Sequence, residues 1–209
     1  MRKLCLLFLL IGTYCYAGEK KYTVDSPDGK IQLAIIQTDA GELTYQLSVK
    51  RKQVIDASAL GFKTEDGLTF PFRGWKMGKV TRNKVNSVWK PLWGKRAVVP
   101  DKYNEMKLSF VNEAKSSDAL EVVARAYNEG VAFRYVSPQD AGSALELTTF
   151  NFAGDYTAWF YNGERHNIGP ERLTETDGER LPVMTVKAAD DLYLAVHEAC
   201  LDEGEPLKL

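Results

Sequence analysis

Leu120-Glu-Val-Val-Ala-Arg-Ala-Tyr127 and Val131-Ala-Phe-Arg-Tyr-Val136, joined by Asn128-Glu129-Gly130, decide the fold class. Both runs are rich in β-branched and aromatic residues. A short glycine-containing link between two such runs reads as an antiparallel hairpin, with Gly130 expected to supply the positive φ of the turn. Working outward, Leu43, Tyr45, Leu47 and Val49 alternate with Thr44, Gln46, Ser48 and Lys50, a half-buried strand with one wet face. Met106, Leu108 and Phe110 repeat the pattern against Lys107, Ser109 and Val111. Residues 31–36, 75–80, 145–152 and 156–161 are further strand candidates. Pro27-Asp28-Gly29, Asp66-Gly67, Asn162-Gly163 and Asp177-Gly178 punctuate them as turns. No long amphipathic helix is legible between residues 20 and 184. Many short strands without intervening helices predict an all-β antiparallel sandwich or barrel, not a parallel α/β sheet. Residues 190–201 fit both a helix capped by Asp190 and a strand through Leu192, Leu194 and Val196, and periodicity leaves the two open.

The chain has 209 residues, 44% of them hydrophobic, with 27 basic and 28 acidic side chains. That composition excludes disordered and collagen-like chains. A formal charge of −1 argues against a general nucleic-acid binder, which needs a basic excess to neutralise phosphates. Residues 1–17 read as a secretory signal peptide: Arg2 and Lys3, an apolar run from Leu4 to Gly12, then Ala17 at the cleavage position. The run is too short for a stable membrane span. Export to the periplasm or the extracellular space is therefore expected, with residues 18–209 as one mature domain. Cys5 and Cys15 leave with the signal, so Cys200 remains alone, without a disulfide framework and read as a small buried hydrophobe.

Chemistry-bearing motifs are few. There is no Gly-rich phosphate loop, G-x-S-x-G elbow or H-E-x-x-H pair. Aromatic residues are more suggestive. Trp89, Trp93 and Trp159, the last beside Phe160 and Tyr161, are candidate sugar-stacking residues against a background in which sandwich cores bury tryptophan. Glu198, after His197, could ligate calcium, which takes several oxygen ligands. Tyr-Asn-Glu occurs at Tyr103 and again at Tyr127, and reads as turn chemistry repeated by chance.

Several stretches together resemble a known family. They are Ser26-Pro-Asp-Gly-Lys-Ile31, Leu43-Thr-Tyr45, Leu60-Gly-Phe62, Trp93-Gly94, Tyr103-Asn-Glu105, Arg125 through Tyr135, and Tyr193-Leu-Ala-Val-His-Glu-Ala199. In order and spacing they resemble the N-terminal domain of the glycoside hydrolase 97 family, secreted bacterial α-glucosidases and α-galactosidases. The resemblance implies an antiparallel β-supersandwich similar to the galactose-mutarotase superfamily, followed in complete members by a catalytic (β/α)₈ barrel absent from this chain. It implies that Glu198 supplies one ligand to calcium, only when a barrel completes the site, and it favours a strand at Leu192–Val196. The implied function is a carbohydrate-associated domain that forms a wall of the active site for an α-linked oligosaccharide and is inactive alone. The alternatives are a freestanding secreted sugar-binding module and, from another enzyme class, an aldose 1-epimerase, disfavoured because only His166 and His197 are present. Residues 200–209 depart from the family's tyrosine- and proline-containing link to the barrel, which points to a truncated, split or autonomous domain.

Overall fold

Leu43 and Tyr45 are buried as the alternation predicts, and their neighbours show how the interior is built. The structure, a computed structural model, describes residues 19–65, 67, 69–71, 74–113, 119–137 and 143–198. Strands β1 (Lys20–Asp25), β2 (Ile31–Gln37), β3 (Leu43–Val49) and β4 (Lys52–Leu60) form an antiparallel sheet in chain order. β5 (Phe62–Thr64), β6 (Thr69–Phe70) and the later β11 (Ala144–Glu146) form a small sheet ordered β11-β5-β6. β7 (Trp75–Trp89), β8 (Val99–Asn112), β9 (Ala119–Tyr127) and β10 (Val131–Val136) are ordered β10-β9-β8-β7. The last sheet orders β12 (Thr157–Tyr161), β13 (Ile168–Arg172), β14 (Leu181–Ala189) and β15 (Leu192–Val196) as β13-β12-β14-β15. One 3₁₀ turn, Leu173–Glu175, is the helical content of the described residues, and none of their helices is long and apolar enough to cross a membrane.

The main core forms where the β1–β4 sheet faces the β7–β10 sheet. Leu33, Ile35 and Tyr45 from the first meet Met106, Leu108, Phe110, Val122 and Ala124 from the second. Phe62 and Phe70 fill the end between them. A smaller core of Ala158, Phe160, Met184, Val186 and Val196 supports the last sheet, and Phe150, Phe152 and Leu194 pack against both. The result is an all-β antiparallel sandwich, as expected. Gly61 is required by close approach: a Cβ there would collide with the Phe70 carbonyl oxygen, so the β4–β5 corner tolerates no side chain.

The first turn is held by side chains. The buried Ser26 hydroxyl donates to Asp28 Oδ1 (2.6 Å) and accepts the backbone N–H groups of Lys30 (3.1 Å) and Ile31 (3.0 Å). Asn128 Oδ1 accepts the Asp28 N–H at 3.0 Å and ties this turn to the β9–β10 turn. The Ser26 hydroxyl first, and then Lys30 through its N–H and its ammonium, lower the Asp28 pKa from 3.8 to about 2. A depressed native pKa means that the charged form favours folding. The contribution is present above pH 3.8 and is lost as the pH falls from there towards about 2. Asp28→Asn should therefore flatten the acid dependence of stability in that window, and an unchanged slope between wild type and variant in acid titration would remove Asp28 from it.

Residues 190–201, left open by periodicity and tipped towards strand by the family resemblance, do contain a strand in the described part: β15 pairs with β14 from Met184↔Val196 to Ala189↔Leu192. Three other expectations are corrected. Gly130 does not take positive φ; the β9–β10 turn closes through the Tyr127 N–H to the Gly130 carbonyl (2.8 Å). Tyr103-Asn104-Glu105 lies inside β8, so the repeated tripeptide is a turn only at its second copy. Residues 145–152 are a regular strand only to Glu146. Beyond it the chain follows β4, but Thr149 Oγ1 and Ser58 Oγ replace backbone acceptors for the Ala59 and Asn151 N–H groups. The signal segment 1–17, Asp66, Cys200 and the tail to residue 209 lie outside the described residues.

Candidate functional site

The outward face of the last sheet carries the best-equipped surface. Ala158 and Phe160 point into the core, so by strand alternation Trp159 and Tyr161 point out. On β14, Met184 and Val186 point in, which turns Val183, Thr185 and Lys187 outward. Register places Trp159 opposite Thr185 and Lys187 opposite Tyr193. The Trp159 and Tyr193 rings lie 6.5 Å apart at 38°, an aromatic pair on an open face. Trp159 is half-buried, which fixes its plane, while Tyr161 and Tyr193 are exposed.

A shallow pocket of ≈ 350 Å³ opens beside them, lined by Trp159, Tyr161, Asn167, Val183 and Thr185 among others. It combines aromatic faces with an amide and a hydroxyl, a mixture suited to apolar C–H faces carrying hydroxyl groups. Further along β14, Lys187 Nζ sits 2.9 Å from Asp190 Oδ1. That hydrogen bond and charge raise the Lys187 pKa and lower that of Asp190, so both stay charged at neutral pH. A larger groove of ≈ 760 Å³ runs beside Phe150, Phe152, Leu173 and Met184, with Asp56 and Asp155 at its rim. Asp155 is already engaged: it accepts the Thr174 N–H (3.1 Å) and Arg172 Nε (2.9 Å), which lower its pKa in that order despite some desolvation.

The sequence-selected residues do not converge. Trp159 belongs to the pocketed face. Trp89 ends β7 and Trp93 lies in the following loop, 54% and 87% exposed, on a different sheet. Glu198 follows β15 by two residues and is half-buried, with His197 exposed before it. Among the described residues no group of three or more His, Cys, Asp or Glu side chains could hold a metal. The described residues thus supply no carboxylate cluster for calcium on their own, and no chemistry is routed through one. Tyr161, noted in the sequence beside Trp159, and Tyr193, which the sequence did not mark as a sugar contact, are additional surface aromatics. Their signal was parity: each sits on the outward phase of an alternating strand.

A second cluster joins two stretches of the family-like pattern. Tyr103 pairs across the sheet with Tyr127 and Glu105 with Arg125. Arg125 Nε donates to Glu105 Oε2 at 2.8 Å, and its guanidinium lies 4.4 Å from the Tyr103 ring centroid. Burial pulls the Arg125 pKa down, but Glu105 and Tyr127 outweigh it and leave it raised. Tyr103 is raised by burial. This arrangement holds two strands in register and presents no free group for catalysis.

Comparisons with known proteins agree with this architecture. The family model described as "Glycosyl-hydrolase 97 N-terminal" matches residues 24–209. A retaining α-galactosidase of Bacteroides thetaiotaomicron is 23% identical over 100% of this chain and 33% of its own. A probable retaining α-galactosidase of Streptomyces bingchenggensis is 29% identical over 77% of this chain and 26% of its own. A glycoside hydrolase family 97 enzyme from Pseudoalteromonas sp. strain K8, solved with panose and with acarbose, superposes with a TM-score of 0.75 at 30% identity. It matches 86% of this chain and 28% of the enzyme. The chain thus spans about a third or less of the length of these relatives.

Proposed function

The chain belongs to the glycosyl-hydrolase 97 N-terminal family, and from that premise we infer that it serves as the substrate-side domain of a family 97 glycosidase, forming one wall of an active site. The observation that carries this reading is a match running through residues 24–209 that accounts for only about a third of a complete relative. The reacting groups then come from a catalytic (β/α)₈ barrel. The names of the relatives and the panose and acarbose complexes support an α-linked oligosaccharide as the ligand. Residues 1–17 direct export in this reading, and N-terminal sequencing of the secreted product should begin at Gly18. Glu198 would give one oxygen to calcium, with the remaining ligands supplied by the barrel.

The purified chain should not hydrolyse aryl α-galactosides or α-glucosides: no carboxylate lines the pocket beside Trp159, and at the larger groove, which Asp56 and Asp155 line, Asp155 is already held by Arg172 and the Thr174 N–H. Robust turnover by homogeneous protein would sink this reading. A second reading, a freestanding sugar-binding module, is favoured by the Trp159–Tyr193 pair beside the pocket. It expects saturable tryptophan quenching by maltooligosaccharides, with affinity about tenfold weaker in Trp159→Ala, or about 1.4 kcal/mol. The same titration tests Trp89 and Trp93, and a flat response in all variants leaves the wall-forming role alone.

A further inference from the structure

We propose that the end of the β7–β8 ribbon is a membrane anchor that seats Leu92 and Trp93 in the interface of an anionic bilayer. β9 pairs with β8 only from Tyr103 onward, whereas β7 and β8 remain paired out to Trp89↔Val99. The ribbon end and the loop between Trp89 and Val99 therefore extend past the edge of β9. Val88 and Trp89 are consecutive strand residues, so they point to opposite faces of the ribbon, and both are exposed. Leu92 and Trp93 at the turn are exposed as well.

The tip is thus apolar on both faces and at its end. A protein-docking surface offers one apolar patch with a polar rim. A lipid interface surrounds an inserted tip from every side, and tryptophan is favoured there because its ring is amphipathic. Charge points the same way. On the projecting ribbon, residues 86–102, the cations Lys90, Lys95, Arg96 and Lys102 outnumber the single carboxylate Asp101, in a chain whose net charge is −1. Lys90, Lys95 and Arg96 bracket Leu92 and Trp93, and anionic headgroups favour each such cation about fivefold. Carbohydrate suits this tip poorly: from Val88 to Val98 there is no carboxylate, amide or hydroxyl side chain to orient a sugar. The inference is independent of the wall-forming role.

The test uses the chain beginning at Gly18, which keeps every residue of both cores and removes the apolar leader as a source of binding. It should co-sediment with phosphatidylcholine vesicles containing about one-third phosphatidylglycerol, far less with phosphatidylcholine alone, and less at high salt. Brominated lipid should quench its tryptophan emission. Leu92→Ser with Trp93→Ser should weaken partitioning tenfold or more, and replacing Lys90, Lys95 and Arg96 by Ser about a hundredfold. These positions are exposed, so near-UV circular dichroism should be retained. Absence of binding to the anionic vesicles, or binding that survives the Leu92/Trp93 variant, overturns the proposal. So does concentration-dependent self-association lost in that variant, which assigns the tip to a second copy. Maltooligosaccharide quenching lost with Trp93→Ser overturns it likewise, assigning the tip to sugar.

Discussion

Phe70→Ala lowers the unfolding free energy by about 4 kcal/mol, the largest effect expected of a single substitution here. The side chain is fully buried and joins the small β5–β6 sheet to the β7–β10 sheet. Its ring lies 5.7 Å from Phe62, 5.1 Å from Trp75, 5.3 Å from Phe110 and 6.0 Å from Tyr135, mostly edge-on. Truncation removes the transfer free energy of the ring and leaves a cavity among neighbours anchored in separate strands, which cannot collapse together. Edge-to-face pairs add about 0.5–1.5 kcal/mol each, though not additively. In urea the midpoint should fall with little change in slope, and the melting temperature by roughly 10 °C for a domain of this size. Phe70→Leu should recover about half the loss. A cost for Phe70→Ala below about 1 kcal/mol would mean that the corner is not packed as described.

Arg125→Ala is the second, expected to cost about 3 kcal/mol. It leaves Glu105, whose side chain is 8% exposed, with Lys107 Nζ at 4.0 Å as its cationic neighbour among the described residues. A buried carboxylate without its hydrogen-bonded partner is costly, whereas the intact pair need not be strongly stabilising. Arg125 itself is 35% exposed, which places the expectation at the low end of the buried range. The reverse change, Glu105→Gln, should cost less, because the guanidinium it strands can reach water and still covers the Tyr103 ring. The double variant should be milder than the sum of the two by about 1–2 kcal/mol. Additive losses in chemical denaturation would show that the two side chains act independently.

Much of this fold is legible where one face is wet and the other dry. β3, β9 and β10 match the runs that alternate or are continuously apolar. β4 went unread because Ser58 occupies a core position: it is fully buried, and it donates to the Asp56 carbonyl while accepting the Asn151 N–H. A satisfied hydroxyl costs little inside, but it breaks the apolar pattern. The sequence marks only the first six of the fifteen residues of β7. Its remainder is an edge strand with polar residues on both faces, so no period distinguishes it. β13 is written Ile-Gly-Pro-Glu-Arg, whose glycine and proline read as breakers.

The candidate site divides similarly. Trp159 was visible as a type of residue, but its pairing with Tyr193 joins strands more than thirty positions apart and depends on β14 lying between them. Glu105 and Arg125 were each on view in the sequence, yet their meeting is a matter of register.

By itself the sequence determined the strand-rich class, the resemblance to the glycosidase N-terminal domain and the positions of several turns, because alternation and turn chemistry are local properties of the chain. Only the tertiary structure decided that residues 192–196 form a strand paired to β14, that Trp89 and Trp93 sit on a ribbon end away from the last sheet, and that Trp159 faces outward beside Tyr193. Those outcomes depend on which strands pair and on which neighbour covers each face, and strand pairing is a long-range choice settled by the shared core.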